Sequence, residues 1–367
     1  MELENKLRYI CESFCIPGVF SGYRHLKIGN VNQTYRVFFD MPNQIIQSYI
    51  VQKVNTYAFR EPELLMHNAA LVTEHVRRNS EGQTCLHYLH TEDHKSYLYD
   101  DEGGFWRVSN FISSHTFDNC GDVAVLQETG AAFGSFQKLL SSFSAADLYE
   151  TIPYFHHTPR RLKNLFENAE KDPVGRVHKV REELEYIRSV RDKAERLTRL
   201  YEEEKLPLRV THNDTKINNV LFDRQTNKAI AVIDLDTVMP GLIGHDFGDG
   251  VRFAANVVEE DCADVEKVSF SLERFEAFAR GFLNQAGSIL TRNEIDTLAL
   301  SAFCITIELA SRFLDDYIVG DLYFKTNYPE HNLVRTRCQL ALAKDIDRKL
   351  DQMQKIIENC MAEVQQG

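Results

Sequence analysis

The chain has 367 residues, enough for one large domain or two lobes, and 43% of them are hydrophobic. Asp and Glu outnumber Lys and Arg by 54 to 42, which gives a net charge of −12 at pH 7. A nucleic-acid-binding protein would carry a basic surface instead. The composition therefore predicts an ordinary globular protein with no nucleic-acid partner.

The sequence carries no sign of a membrane segment or a secretory leader. No run approaches 18 uninterrupted apolar residues, and the first ten residues, MELENKLRYI, open with acidic side chains where a leader would be basic and then apolar. The eight cysteines are scattered without a CxxC pair, which favours neither a zinc site nor a disulfide framework. We expect a cytoplasmic protein with reduced thiols and no membrane partner.

Strand-like runs dominate the first hundred residues. Turn-forming segments such as MPNQ and DDEGG separate them, and one stretch with helical spacing interrupts them at 62–78. The predicted strands cover residues 35–40, 48–54, 85–90, 95–100 and 105–112.

Helical patterns take over after residue 113. They include 123–143, a long charged helix over 174–205, and further helices from 272 to the end, the last over 344–366. A short β-like segment at 208–238 lies between them. The pattern predicts an α+β protein with a small β-rich lobe, residues 1–112, and a larger, mainly helical lobe, residues 113–367.

The most informative segment, residues 211–223, reads THNDTKINNVLFD and is followed by Ile233 and Asp234. If its two apolar runs pair as a hairpin, Asp214, Asn219 and Asp234 lie around one opening. Phosphoryl transfer needs such a set, because a carboxylate must orient the acceptor hydroxyl while oxygen ligands hold Mg²⁺ on the phosphates. A lone Asp in a loop is usually a turn residue, but the complete spacing favours a catalytic site.

The spacing of His212, Asp214 and Asn219, together with Asp234, resembles the catalytic loop and the metal-binding aspartate of the aminoglycoside phosphotransferase/choline kinase group. That group consists of small-molecule relatives of the protein kinases. The resemblance implies a protein-kinase-like fold with two lobes and an ATP- and Mg²⁺-dependent kinase. It also implies that Asp214 is the catalytic base, that Asn219 and Asp234 are Mg²⁺ ligands, and that Lys216 lies near the transferring phosphoryl group.

Three neighbouring features are assigned differently. We expect His212 to support the loop by hydrogen bonding and not to act as a base. The D-F-G at 246–248 lies downstream of Asp234, so it is not equated with the protein-kinase metal motif. Asp236 and Asp249 are weaker candidates for the site.

The phosphate-covering segment departs from a G-x-G-x-x-G pattern. Residues 27–34, KIGNVNQT, offer one glycine and several polar side chains, and the candidates among them are Asn30, Asn32 and Thr34. Strand alternation points Gln52 and Lys53 to opposite faces, so only one can face the phosphates. Charge favours Lys53, whereas related sugar kinases carry glutamine in this stretch, so both stay candidates.

The linker between the lobes is the predicted adenine site. The adenine should lie against Asn110, Phe111 and Ile112, where backbone groups can read the edge of the base, and Asn110 and Ile112 are the candidate binding residues.

Longer segments resemble the N-acetylhexosamine 1-kinases of the same group. They are 211–223, 231–241, 245–253 and 321–337, with 31–35, 49–55 and 106–112 in the small lobe. The resemblance implies transfer to the anomeric 1-hydroxyl of GlcNAc or GalNAc, so the partners are a sugar and a nucleotide. It points to Arg312, Tyr323 and Phe253 as acceptor residues.

Several alternatives stay open. Arg312 lies four residues after Glu308, so a structural ion pair is the competing interpretation. Tyr323 and Phe253 could equally be core aromatics. Homoserine, choline, an aminoglycoside or another hexose could be the acceptor, and a catalytically silent ATP-binding pseudokinase would keep the same fold.

Overall fold

A computed structural model describes residues 3–26 and 31–366. Five antiparallel strands form the small lobe: Val19–Leu26 (β1), Gln33–Asp40 (β2), Ile46–Val54 (β3), Leu98–Tyr99 (β4) and Phe105–Asn110 (β5). Their order across the sheet is β1-β2-β3-β5-β4. β5 therefore lies inside the sheet, next to β3, although a helix and a long loop separate the two in sequence.

Two helices cover the sheet, Leu3–Ser13 (α1) and Pro62–Asn79 (α2). Alternation along the strands gives each face its own apolar set. Val51 and Trp106 pack in one cluster with Leu7 of α1. Val54 and Phe105 pack in a second cluster with α2, and that cluster also includes residues of the large lobe.

The strand predictions are partly confirmed. The structure forms strands over 35–40, 48–54 and 105–110, as predicted. The prediction of full strands over 85–90 and 95–100 is wrong. The first of these segments runs beside β5 with one isolated bridge, Tyr88 to Ser109. The second forms only the two residues of β4, because the chain turns back at Asp100, whose carboxylate accepts from the backbone of Gly104 at 2.7 Å. The sequence-based prediction lacked α1 and β1.

The large lobe is mainly helical. Its helices are Val123–Leu139 (α3), Thr158–Lys171 (α4), Arg181–Ser189 (α5), Arg191–Ala194 (α6), Arg196–Glu202 (α7), Ile243–Ala255 (α8), Leu272–Ala286 (α9), Arg292–Val319 (α10) and His331–Gln366 (α11). Two short antiparallel pairs lie among them. Arg209–Thr211 (β6) pairs with Met239–Gly241 (β9), and Val220–Phe222 (β7) pairs with Ala229–Val232 (β8). The expected α+β architecture with a β segment inside the helical lobe is confirmed.

The single long helix over 174–205 is wrong. The chain forms the three helices α5, α6 and α7, which are separated at Val190 and Glu195. The carboxylate of buried Glu195 accepts hydrogen bonds from Arg191 and Arg199, each at 2.7 Å. The residues expected to face the core are nevertheless all buried: Val180, Leu184, Ile187, Ala194 and Leu197.

Two other helices differ from expectation. The last helix begins at His331, thirteen residues before the predicted 344, because its first turns also carry buried apolar side chains such as Leu333 and Leu340. Among the described residues α10 alone is long and apolar enough to span a membrane by length and composition. However, 78% of its apolar window is buried inside the protein. Packing against α4, α8 and α11 therefore accounts for its apolar character.

Candidate active site

The loop between β6 and β7 brings three predicted residues together. The ammonium nitrogen of Lys216 lies 2.9 Å from Oδ1 of Asp214. The amide nitrogen of Asn219 donates to Oδ2 of Asp214 at 3.1 Å and to its carbonyl oxygen at 2.8 Å. With 32% of its side chain still exposed, the carboxylate of Asp214 can be reached by an acceptor molecule.

The charge state of Asp214 follows from these partners. Burial alone would raise the pKa of Asp214, but Lys216, His212 and Asn219 outweigh burial and hold that pKa below its usual value. In return, Asp214 raises the pKa of Lys216 in spite of burial. The pair is thus ionised at neutral pH, with a carboxylate able to accept a hydrogen bond from a hydroxyl group.

The backbone of the loop rests on α8. Asp246 accepts hydrogen bonds from the backbone nitrogens of His212 and Asn213 at 2.9 and 2.7 Å. Asp249 accepts from the backbone nitrogen of Thr215 at 3.1 Å. Asp246 of the D-F-G segment and the following Asp249 therefore hold this loop in place. Sequence reasoning missed this role, because the contacts join residues more than thirty positions apart.

His212 supports the loop, as predicted. One ring nitrogen lies 2.9 Å from the carbonyl oxygen of Ile233, and the other lies 3.3 Å from the backbone nitrogen of Asp214. Its ring is buried against Phe133 and Phe136. Both nitrogens are thus occupied by the scaffold, which leaves neither for a substrate.

The β7–β8 hairpin carries Asp234 to the same opening. The backbone nitrogen of Ile233 donates to the carbonyl oxygen of Asn219 at 2.9 Å, so the two predicted metal ligands lie on adjacent chain segments. Asp234 starts a short turn of 3₁₀ helix with a left-handed φ of 61°. Asp234 is exposed, yet desolvation by the surrounding protein, together with the carboxylates of Asp236 and Asp214, raises its pKa to about 7.

This donor set fits Mg²⁺. Asp234 offers carboxylate oxygens, and Asn219 uses its amide nitrogen on Asp214, which leaves its amide oxygen for a cation. Within residues 3–26 and 31–366 no group of three His, Cys, Asp or Glu side chains could form a complete protein cage. Mg²⁺ commonly takes one or two protein oxygens and completes its shell with phosphates and water. The residues present therefore suit a metal that arrives with a nucleotide.

Gln52, and not Lys53, lies on the face of the sheet that is turned toward the large lobe. Its amide nitrogen donates to the hydroxyl of Thr34 at 3.1 Å, and its amide oxygen accepts from Arg107 at 2.9 Å. Lys53 points to the opposite face, where its ammonium lies 5.7 Å from the ring centroid of Trp106. This placement contradicts the preference for Lys53, which rested on charge alone.

Arg107 is the cation that sequence reasoning missed. Its guanidinium is almost completely buried and forms an ion pair with Asp236 of the large lobe. Burial alone would lower the pKa of Arg107, but Asp236 outweighs burial and raises that pKa, so the guanidinium stays charged. The only available signal was a basic residue inside the apolar strand FWRVSN.

The phosphate-covering segment is partly described. Asn30 lies outside the described residues. The amide nitrogen of Asn32 donates to Asp236 at 2.6 Å, and its oxygen accepts from the backbone of Asn55 at 3.0 Å. Thr34 is buried and bonded to Gln52. Asn32 and Thr34 thus border the cleft between the lobes.

The linker residues have structural partners. The side chain of Asn110 joins the loop at 85–87, accepting from the backbone of His87 and donating to the carbonyl oxygen of Cys85, each at 3.0 Å. Ile112 is buried, and its carbonyl oxygen accepts from Ser114 at 3.0 Å. The polar side chain of Asn110 is therefore committed to the fold, which leaves the adenine contact of this linker a prediction for its backbone and for Ile112.

The orientation of β3 leads to a prediction. Replacing Gln52 with Ala should raise KM for ATP several-fold, because it removes the partner that orients Arg107 and Thr34 at the cleft. Lys53→Met should leave KM and kcat within about twofold. Initial rates at varied ATP concentration measure both. If Lys53→Met is the damaging change, the strand orientation is wrong. If neither substitution changes KM or kcat, β3 does not contribute to phosphate binding.

Arg312 has no carboxylate partner in the described part of the chain. Glu308, the expected partner one helical turn earlier, instead lies 2.8 Å from a ring nitrogen of His156 and accepts from Thr158 at 2.7 Å. The guanidinium carbon of Arg312 lies 5.3 Å from the ring centroid of Phe155 and 5.5 Å from that of Phe324. The structural ion pair is thus absent, and the fork of N–H donors remains available to a ligand.

Tyr323 shares this surface. Its ring is 71% exposed, and its centroid lies 4.8 Å from that of Phe324. The loop that presents it is held by Asp316, which accepts from the backbone nitrogens of Leu322, Tyr323 and Phe324 at 2.8–2.9 Å. Arg312 and Tyr323 therefore flank the same aromatic ring.

Phe253 is different. It is partly buried on α8 against the main core of the large lobe, as the competing interpretation expected. None of the contacts between described residues brings it to Arg312 or Tyr323.

A short chain of contacts joins the Arg312 surface to the catalytic loop. The second ring nitrogen of His156 lies 3.5 Å from the carbonyl oxygen of Asn213, the residue before Asp214. His156 also contacts Glu308 on α10, one turn from Arg312. The two surfaces are thus linked through the buried side chains of His156 and Glu308.

The sequence over residues 29–280 matches the profile of the phosphotransferase enzyme family (APH). Since this match covers more than half of the chain, the protein belongs to that family. It is thus a small-molecule phosphotransferase of the aminoglycoside phosphotransferase and choline kinase type.

Solved structures show the same fold. The microcompartment-associated aminopropanol kinase superposes with a TM-score of 0.63 at 15% identity, covering 95% of this chain and 98% of that one. The ADP-bound aminoglycoside phosphotransferase APH(2'')-Ib gives 0.55 at 14% identity, covering 94% and 99%. The choline kinase from Cryptosporidium parvum Iowa II gives 0.51 at 14% identity, covering 97% and 99%. The predicted kinase-like fold with two lobes is confirmed.

Proposed function

We propose that the protein transfers the γ-phosphoryl group of ATP, with Mg²⁺, to the anomeric 1-hydroxyl of an N-acetylhexosamine such as GlcNAc or GalNAc. The observation that carries the chemistry is the ionised, partly exposed Asp214, which contacts Lys216 and Asn219 and faces the cleft of Asp234. The resemblance of residues 321–337 to the N-acetylhexosamine kinases, together with the free Arg312 beside Tyr323, supports the sugar. The acidic composition and free thiols fit a cytoplasmic enzyme.

In this proposal residues 1–112 cover the nucleotide and residues 113–367 supply the chemistry. Asp214 orients the anomeric hydroxyl and accepts its proton at a carboxylate oxygen. Lys216 lies close enough to Asp214 to place positive charge beside the transferring group. Asn219 and Asp234 would hold Mg²⁺, which neutralises the charge of the phosphates when bound. Most of the rate enhancement then comes from positioning and charge stabilisation.

Charge disfavours the amino-alcohol alternatives. Choline and aminoglycosides are cations, and a guanidinium such as that of Arg312, which has no carboxylate partner in the described residues, would repel them. Homoserine or another hexose remains compatible with this surface. A silent pseudokinase is disfavoured, because Asp214, Asn219 and Asp234 are all present and assembled.

A panel of acceptors tests the proposal. ADP release should be fast with GlcNAc or GalNAc and slower with glucosamine, whose free amine is charged. The 1-O-methyl glycoside of GlcNAc should not react, because its anomeric hydroxyl is blocked. Turnover of the methyl glycoside at the parental rate would move the site of transfer to another hydroxyl, and turnover of choline or homoserine alone would replace the sugar.

Arg312→Ala should lower kcat/KM for the sugar about 10²-fold while KM for ATP stays within about twofold. The change removes a planar fork of donors and leaves sugar hydroxyls without partners in the cleft, a loss of a few kcal/mol. Arg348→Ala, at an exposed arginine of α11, is the matched control and should behave like the parent. Equal losses for sugar and ATP would show that Arg312 supports the fold instead.

A further inference from the structure

The buried ion pair of Arg107 and Asp236 joins two segments that are 129 residues apart in sequence. Arg107 lies on β5, inside the sheet of the small lobe, and Asp236 lies in the turn that begins at Asp234. Their side chains are 2% and 5% exposed. The second carboxylate oxygen of Asp236 accepts from Asn32 at 2.6 Å, so the small lobe engages both oxygens.

The surroundings of Arg107 hold its guanidinium in place. Its Nε donates to Gln52 at 2.9 Å, its guanidinium carbon lies 5.3 Å from the ring centroid of Tyr88, and Nη1 lies 3.7 Å from the sulfur of Met66 on α2. The described part of α2 thus presents a thioether, and no carboxylate, to this cation. The carboxylate that neutralises Arg107 belongs to the other lobe.

The turn of Asp236 is also tied to the catalytic loop. The carbonyl oxygen of Thr237 accepts from the side chain of Asn213 at 2.9 Å, and the Thr237 hydroxyl donates to the carbonyl oxygen of His212 at 2.7 Å. A displacement of this turn would therefore move both Asp234 and the backbone next to Asp214.

We propose that Arg107 is a positioning residue that acts through Asp236: it docks the turn of Asp234 and the catalytic loop against the small lobe. A buried ion pair often contributes less to stability than an apolar pair of similar volume would, so this pair is better explained by the geometry that it imposes. The proposal rests on the assignment of Asp234 to the nucleotide-bound metal. The proposal assigns Asp236 to Arg107 and Asn32, which donate to its two oxygens, and not to the metal.

A double-mutant cycle tests this role with the full-length protein. Arg107→Gln, Asp236→Asn and the double variant should each lower kcat at least tenfold. The double variant should lose about as much as one single variant, because the two side chains act as a unit. KM for the sugar should stay within about twofold. Arg107→Lys, which keeps the charge, should recover part of the lost kcat. Arg24→Gln, at an exposed arginine on β1, is the control and should match the parent.

The Mg²⁺ concentration for half-maximal rate separates positioning from simple charge. Arg107→Gln removes a positive charge near the metal, and Asp236→Asn removes a negative one. A purely electrostatic role would shift the Mg²⁺ requirement in opposite directions with kcat retained, and that result would overturn the proposal. So would independent losses that multiply in the double variant, or a large loss for Asp236→Asn with a parental rate for Arg107→Gln.

Two further readouts keep the test decisive. Circular dichroism establishes which variants are folded. If Arg107→Gln does not fold, Arg107→Lys takes its place in the comparison with Asp236→Asn. The rise in Tm on adding Mg²⁺ and ATP needs no acceptor. It should be smaller in both folded single variants than in the parent, and an unchanged rise would contradict the proposal. A parent that binds Mg²⁺ and ATP but phosphorylates no N-acetylhexosamine would defeat the proposed acceptor, and the rise in Tm, which needs no acceptor, would then test the role of Arg107.

Discussion

Asp214→Asn is expected to lower kcat at least 10²-fold while KM for ATP stays within about twofold. The change removes the ionised oxygen that orients the acceptor hydroxyl, a loss on the scale of a positioned general base. It also removes the negative partner of Lys216, which lies 2.9 Å away, but it keeps the shape of the side chain and its contact with Asn219. Steady-state rates with ATP and GlcNAc measure both constants.

The matched control is Asp118→Asn, at an exposed aspartate remote in sequence from the catalytic loop, which should leave kcat unchanged. Parental turnover by Asp214→Asn would remove Asp214 from the mechanism. A loss of ATP binding equal to the loss of kcat would assign it to the nucleotide instead of the acceptor.

Removing the metal should have the other large effect. EDTA should stop the reaction completely, and Mg²⁺ should restore it, because in the proposed mechanism the ion held by Asn219 and Asp234 neutralises the charge of the phosphates. Asp234→Asn should lower kcat at least 10²-fold at a fixed Mg²⁺ concentration, and excess Mg²⁺ should restore only part of the lost kcat.

Asp223→Asn serves as the control on the same hairpin. Its carboxylate accepts from the backbone of Gln225 and Thr226, so it stabilises the turn and does not face the cleft. We expect a parental Mg²⁺ requirement for this variant. Full activity of the parent in metal-free buffer would contradict the phosphotransferase mechanism.

Much of the candidate site could be predicted because its residues are close in sequence. Asp214, Lys216 and Asn219 lie within six positions, and one hairpin carries the chain on to Asp234, so local backbone geometry is sufficient to assemble them. Motif spacing captures this kind of arrangement well. The two-lobed fold was predictable for a similar reason, since strand and helix periodicities separate near residue 113.

The placement of the other residues of the candidate site depends on contacts between distant segments, which no local sequence pattern encodes. Arg107 finds its carboxylate on the other lobe, so its burial could not be read from the strand around it. The choice between Gln52 and Lys53 depends on which face of the sheet meets the large lobe, and alternation alone gives two equivalent answers. Charge did not decide this choice, because Lys53 lies on the opposite face beside Trp106, and the cation on the inner face is Arg107 of the neighbouring strand, paired with Asp236.

The surface around Arg312 shows the same limit. A spacing of four residues left an ion pair between Glu308 and Arg312 open as the competing interpretation, but His156 and Thr158 from a distant segment engage Glu308 instead. Helical spacing makes such a pair possible and does not exclude a stronger competitor. The three-dimensional structure thereby leaves Arg312 available for a ligand.

The most direct test of the proposed reaction is the position of the phosphate in the product. Phosphorus NMR of the reaction of ATP, Mg²⁺ and GlcNAc should show a sugar phosphate whose phosphorus couples to the anomeric proton and to C1. That result would place the transfer at the 1-hydroxyl, opposite Asp214. Coupling to the protons on C6, or no sugar phosphate at all while ATP is consumed, would contradict the account.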